Sequence, residues 1–245
     1  MKSALILSAV ALLAGTAAAS AQDWRYDLTL YGWVPGLSAT TDTPYGSVSS
    51  DNSPSDTLNA LDMAFMGHVA AQNGKLGLVG DLMYADLSAS KATPFGKLFS
   101  EATFETKLTA VSGYALYRLA DDPKIQFDAG VGFRYFDMKF DTTLTGNIAS
   151  TWERSTSSSW IDPLIAARLA IPLNDKWLVN GFADWGGTGD SETWQIYAGV
   201  TYKINDNWST QAGWRYMNVN KDVGDTNANA DLDMSGPVFG MTYSF

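Results

Sequence analysis

Twelve charged residues are those best able to do chemistry in this 245-residue sequence: Asp27, Asp62, Asp81, Glu105, Lys107, Asp128, Arg134, Asp162, Arg168, Asp184, Lys203 and Arg215. Paired carboxylates can trade protons as acid and base. Carboxylates facing guanidinium or ammonium groups can instead form ion pairs, or line a passage that selects among ions. The chain has one histidine, His68, and no cysteine. Disulfides and thiolate metal sites are therefore unavailable, and one histidine among scattered carboxylates gives no metal-ligand spacing. The Asp/Asn-rich stretch from Asp222 to Asp233 lacks an ordered D-x-D-x-D-G spacing; it reads as a solvated loop, with a loosely held calcium as the alternative. No cofactor is implied.

The twelve share a place in a pattern. Period-2 alternation recurs ten times, giving expected strands at about 25–34, 61–72, 75–87, 102–118, 124–140, 159–171, 176–185, 192–204, 208–219 and 233–245. One expected face is apolar: Leu28, Leu30 and Val34; Met63, Phe65 and Val69; Leu76, Leu78, Leu82 and Tyr84; Leu108, Ala110, Tyr114 and Leu116; and so on to Phe239, Met241, Tyr243 and Phe245. The twelve charges fall on the other face, since side chains alternate sides along a strand. Short connections (Asn73-Gly74, Ala120 to Pro123, Pro172 to Asp175, Asn205 to Asn207) alternate with longer ones at about 35–60, 88–101, 141–158, 186–191 and 220–232. Trp177, Trp185, Trp194, Tyr202, Trp208, Trp214, Tyr216 and Tyr243 gather toward strand ends.

This combination predicts an all-β chain forming one antiparallel transmembrane β-barrel. Ten strands are expected, with eight as the alternative, lipid-facing aromatic girdles, short periplasmic turns and longer extracellular loops. A soluble sandwich also alternates, but does not pair short with long hairpins around an interior that holds both glycines and charges. The interior charges then have two readings. One is a salt-bridge and hydrogen-bond network that fills the lumen and fixes register, because an isolated buried ion is very costly. The other is a small hydrated, porin-like passage. Asp162 and Arg168 share one strand face ~20 Å apart, so neighbouring strands supply their partners, for instance Asp162 to Arg134 and Asp128 to Arg168. Pro163 cannot donate to the ladder and is expected at a bulge or near the outer rim. In the first long loop, Ser53-Pro54-Ser55-Asp56 has the form of a helix start, with Ser53 as cap and Pro54 at the first position; an exposed loop turn is the alternative.

The ends of the chain add a compartment. Residues 1–21 read as a secretory signal peptide: Lys2, an apolar run from Ala4 to Leu13, and Ala19-Ser20-Ala21 before Gln22. The barrel is expected over 22–245. A net charge of −10 argues against nucleic acid as a partner. His68 comes shortly before the Asn73-Gly74 turn, at the periplasmic end, so a His/acid or Ser/His/acid constellation cannot form at the outer mouth. The chain reads as a non-enzyme.

Several stretches in order resemble a family of uncharacterised proteobacterial outer-membrane β-barrel proteins, in general architecture like the small OmpA- and OmpW-type barrels. They are Tyr31-Gly32-Trp33-Val34-Pro35-Gly36-Leu37, Leu58-Asn59-Ala60-Leu61-Asp62, Gly80-Asp81-Leu82-Met83-Tyr84, Trp160-Ile161-Asp162-Pro163 with Arg168, Asp184-Trp185-Gly186-Gly187, Gly213-Trp214-Arg215-Tyr216 and Gly236-Pro237. Ala166 stands where the family pattern has Gly. The resemblance implies the bacterial cell outer membrane and the barrel fold, with no established reaction. It also implies that the closing strand, with Phe239, Met241, Tyr243 and terminal Phe245, is the signal read by the barrel-assembly machinery. Outer-membrane lipid and lipopolysaccharide are the expected surroundings. The expected function is structural or surface-related, with at most narrow, weakly selective permeability; the alternative is an interaction protein acting through acidic extracellular loops, and a minor one an outer-membrane enzyme. Oligomeric state, solute and partner stay open.

Overall fold

The computed structural model describes residues 24–43, 46–92, 99–148, 150–222 and 229–245. The expected signal peptide, and residues 223–228 of the loop weighed for calcium, lie outside the described residues. Among the described residues, no helix is long and apolar enough to cross a membrane.

Ten strands close into an antiparallel barrel: β1 (Arg25–Trp33), β4 (Leu61–Asn73), β5 (Leu76–Ala92), β6 (Phe99–Asp122), β7 (Ile125–Gly146), β8 (Trp152–Pro172), β9 (Trp177–Thr188), β10 (Ser191–Lys203), β11 (Trp208–Asp222) and β12 (Asn229–Ser244). Closure is made by β12 on β1, from Asp27↔Ser244 to Trp33↔Val238, and beyond it Phe245 and Tyr26 exchange backbone hydrogen bonds. The strands are those the alternation predicts, extended at their extracellular ends. Two further strands, β2 (Gly36–Thr43) and β3 (Gly46–Asn52), come from the first long connection. There β2 continues along β12 above the point where β12 leaves β1.

The hairpin is followed by α1 (Pro54–Ala60), a single short helix. Its start is a capping box: the Ser53 hydroxyl accepts from the Asp56 amide, and the Asp56 carboxylate accepts from the Ser53 amide. Pro163 lies in unbroken register with β7, and β9 pairs with β8 only from Leu164 onward. Its missing N–H thus faces the side where β8 has lost its partner. No bulge is needed there.

The outer wall carries the apolar face, with Leu30, Phe65, Val131, Ile165, Ile196, Phe239 and Phe245 exposed. Trp185 pairs with Trp194 at one level and Trp177 with Tyr202 eight residues along. At ~3.3 Å per residue that is ~26 Å along the strand, comparable to the ~25 Å apolar band of such barrels. On β6 the expected sides are reversed. Ala110, Ser112, Tyr114 and Leu116 are buried in the interior, while Tyr117 and Leu119 face outward. Leu108, Glu105 and Lys107 are therefore also on the side opposite to the expected one. Both faces of β6 are apolar in its lower half, so charge-counting there picks the wrong side; the interior demands of Ser112 and Arg118 decide it.

Candidate functional site: the barrel lumen

The lumen is built in three levels. Nearest the short turns is a vestibule of about 570 Å³, lined by residues of the β8–β9 and β10–β11 turns and by inward side chains above them. Asp128 is its main ion-pairing centre. Arg168 donates Nε (2.8 Å) and Nη2 to Asp128, and Nη2 also reaches Gln72 Oε1 at 3.0 Å. Arg118 reaches the same carboxylate with Nε and Asp121 with Nη1. One carboxylate therefore serves two guanidinium groups. Across the vestibule, the Tyr31 hydroxyl donates to Asp81 at 2.9 Å, and His68 Nδ1 stands 3.7 Å from the same acid.

Above the vestibule a polar layer crosses the barrel. Arg134 donates to Ser112 (3.1 Å), Thr193 (3.0 Å), the Tyr114 hydroxyl (3.0 Å) and Asp184 (2.6 Å). Tyr114 in turn donates to Asp184 at 2.7 Å, and the Gln195 amide donates to it as well. Arg215 joins by donating Nε to Gln195 (2.7 Å) and Nη1 to Tyr31 (3.2 Å), with its guanidinium 4.8 Å from the Trp33 ring. The Arg134 and Asp184 side chains are 0 % exposed. Such a pair survives burial because almost every proton and lone pair is satisfied; Asp184 Oδ1 alone lacks a partner. Asp162 accepts from Trp160 Nε1 (2.9 Å) and from the Ser191 hydroxyl.

The third level is apolar. Trp33, Met66, Met83, Phe136, Met138, Met217, Val219, Met234 and Val238 pack into one buried cluster under the extracellular mouth. Five methionines inside a barrel are not what charge patterning suggests. Their unbranched thioethers fill an irregular space between long strands. The signal was present: each shares the inward parity of its strand, with Met83 two residues from Asp81 and Met217 two from Arg215.

Not all twelve charges meet in the lumen. Asp27, Asp81, Asp128, Arg134, Asp162, Arg168, Asp184 and Arg215 are brought together along it. Lys203 sits half-exposed at the vestibule rim, paired with Asp206. Asp62 is exposed at a register irregularity between Leu61 and Met63. Lys107 is opposite Asp86 and Lys139 on the outer wall above the apolar band, and bonds Asp86 at 2.7 Å. Glu105 is two residues above it on the same face. Arg168 does pair with Asp128. Arg134 is the cross-strand neighbour of Asp162 but directs its guanidinium to Asp184 instead. Among the described residues, no group of three or more His, Asp or Glu is placed to hold a metal ion.

The family model for the outer membrane protein β-barrel domain matches residues 7–245. The chain belongs to that family. It is thus a bacterial outer-membrane β-barrel. No curated protein matches it by sequence. Among solved structures, the outer membrane protease OmpT from Escherichia coli is similar at TM-score 0.60 and 10 % identity, over 92 % of this chain and 98 % of that one. The translocator domain of the autotransporter NalP from Neisseria meningitidis (TM-score 0.39, 12 % identity, 98 % and 95 %) and Ail of Yersinia pestis (TM-score 0.35, 11 % identity, 91 % and 100 %) superpose more loosely and bear on neither fold nor function. At such identity OmpT speaks for the fold alone.

Proposed function

We propose that this protein is a structural or surface barrel of the outer membrane whose lumen is closed at mid-height, with at most narrow, weakly selective permeability. The observation that carries this reading is the stacking of a satisfied polar layer under an apolar one. Arg134, Asp162 and Phe136 have no solvent exposure, and Met217 and Met234 have 1 % each. A conducting pore needs a continuous hydrated path for the ion, whereas here the buried polar and apolar layers interrupt it above the vestibule. The acids and lysines on the upper outer wall, such as Asp86, Lys107, Lys139 and Asp141, lie above the apolar band, which supports contact with lipopolysaccharide head groups as part of this reading. The exposed terminal strand Phe239, Met241, Tyr243 and Phe245 suits recognition by the assembly machinery. Catalysis is not part of the reading: His68 opens to the vestibule beside Asp81, away from the mouth. Planar-bilayer recording of the refolded protein tests the proposal. Silence, or rare small steps, is expected from a barrel that stays folded and heat-modifiable. Large steady conductance sinks it.

A second reading, an interaction protein, is favoured by the extracellular sheet of β6–β8. Residues 152–159 of β8 are solvent-exposed on both faces. That ribbon offers a surface that the barrel does not use for its own packing. Shortening it without loss of barrel stability, followed by loss of a surface phenotype, would support this reading.

A further inference from the structure

The barrel wall has a gap where β1 meets β4. Their ladder ends at Leu30↔Gly67, although β1 runs on to Trp33 and β4 begins at Leu61. Val34 donates its N–H to Pro237 at 3.2 Å, on the β12 side. Backbone groups alternate in direction along an antiparallel strand, so the N–H of Trp33 points toward β4. In place of a carbonyl it meets the thioether of Met66, with Sδ at 3.3 Å. Both edges of the gap are open. Gly32 is exposed, with space for a side chain, and Met63, Ala64 and Phe65 are exposed in succession. Ala64 shares the inward parity of Met66 and is nevertheless uncovered. Above, α1 packs against β2 on one side and β5 on the other, so the gap faces sideways.

Its height places it against the outer leaflet. Gly32 and Trp33 pair with Phe239 and Val238, four and five residues above Tyr243, whose ring packs on Trp208 at the short-turn level. At ~3.3 Å per residue that is ~13–17 Å into an apolar band of ~25 Å. At its upper end Met63 is opposite Asp86, which stands above the band. Behind the gap lies the methionine layer, to which Trp33 and Met66 belong. Trp33 is 4 % exposed, and its indole Nε1 is shielded and has no hydrogen-bond partner among the described residues. One residue at the edge thus carries two poorly served donors: a backbone N–H on sulfur, which is a weak acceptor, and an indole N–H on none. Buried donors without acceptors are rare and costly.

We propose that this gap admits a slender lipophilic molecule with an oxygen acceptor at one end, a medium-chain ester or alcohol, from the outer leaflet into the methionine layer. The Met66 thioether swings aside, the hydrocarbon tail lies among the methionines, and the oxygen accepts from Trp33 Nε1. Unbranched thioether side chains re-pack readily around a guest. A membrane phospholipid fits less well, because its ester oxygens are held near the head groups while Trp33 sits near mid-band. The polar layer beneath makes the site a terminus. Entry is lateral, so the inference does not rest on whether the lumen conducts.

Nuclear magnetic resonance of the refolded protein in dimyristoyl phosphatidylcholine nanodiscs tests it, with methyl decanoate and decane as probes. The chain has nine tryptophans, and Trp33 is the indole N–H signal missing from Trp33→Phe. Methyl decanoate is expected to shift that signal saturably and decane to leave it in place. The Met66 methyl signal is expected to follow with the same Kd, and Trp33→Phe to weaken that Kd about fivefold by removing the donor. Gly32→Leu fills the gap at an exposed position, so the barrel stays folded while both shifts are lost. Should Trp33→Phe fail to fold, Gly32→Leu carries the test, with Trp33 then assigned through its neighbours in sequence. No saturable shift at Trp33 overturns the proposal, as does a shift that Gly32→Leu leaves unaltered. A Trp33 signal that moves without a probe, when ester lipids are exchanged for ether-linked ones, gives the donor to bulk phospholipid and overturns it too.

Discussion

Two arginines in the same lumen live under different rules. Arg134 is wholly buried and answers to four side chains, among them Asp184. Arg168 is part-exposed on a carboxylate that it shares with Arg118. A charge taken fully out of water must be surrounded by partners, and the penalty for breaking its pair is large because the remaining charge cannot rehydrate. At the vestibule, water and a second guanidinium can stand in for a lost one. The contrast separates a layer that seals the barrel from a chamber that can exchange its contents.

That contrast can be broken in order of effect. Arg134→Ala strands Asp184 in the sealed layer and is expected to cost about 3–5 kcal/mol in urea unfolding, with channel activity appearing in any barrel that still folds. Met217→Ala, in the apolar layer above, is expected to cost about 2–5 kcal/mol through the cavity it leaves. Arg168→Gln is expected to cost only about 1 kcal/mol, because Arg118 still holds Asp128; a loss as large as that of Arg134→Ala would erase the distinction.

The smallest effect lies outside the membrane. Lys221, 2.6 Å from Asp190, together with the Thr188 hydroxyl, holds the Asp190 carboxyl below the ordinary carboxylate range. A depressed folded-state value means that this contribution is present above the unfolded value near 4. It is lost as pH falls through the folded value. The Asp222 amide, which donates to the Asp190 carbonyl at 2.8 Å, reports on it. Its hydrogen exchange, corrected for the intrinsic pH dependence, is expected to lose a little protection on acidification, and Asp190→Asn to remove that dependence. The Asp190 carboxylate is solvent-exposed, which screens the pair, so global stability should not move measurably.

The fold was legible because lipid imposes one sign on one side of every strand. Leu28, Val131, Ile165 and Phe239 could only face outward, and the Asn73-Gly74 turn fixed where the chain reversed. The interior was legible only where a charge stood alone on its face. On β6, Ala110, Tyr114 and Leu116 look like lipid-facing residues and are interior filling; Glu105 and Lys107 look interior and stand above the lipid. Parity carries no information when both faces are apolar, or once a strand has risen out of the hydrocarbon. The pairing of Arg168 with Asp128 followed from adjacency. That of Arg134 with Asp184 did not, because a long guanidinium side chain reaches past its cross-strand neighbour to a better-surrounded acid. The methionine layer was missed because attention to charges passes over apolar residues on the charged side.

The central claim is that the lumen is open toward the short turns and sealed at the level of Arg134. The chain has no cysteine, so a single Ala170→Cys places one thiol in the vestibule. With the barrel oriented in vesicles, a small membrane-impermeant thiol reagent is expected to label Cys at this position when added on the short-turn side and not from the extracellular side. Equal labelling from both sides would contradict the seal.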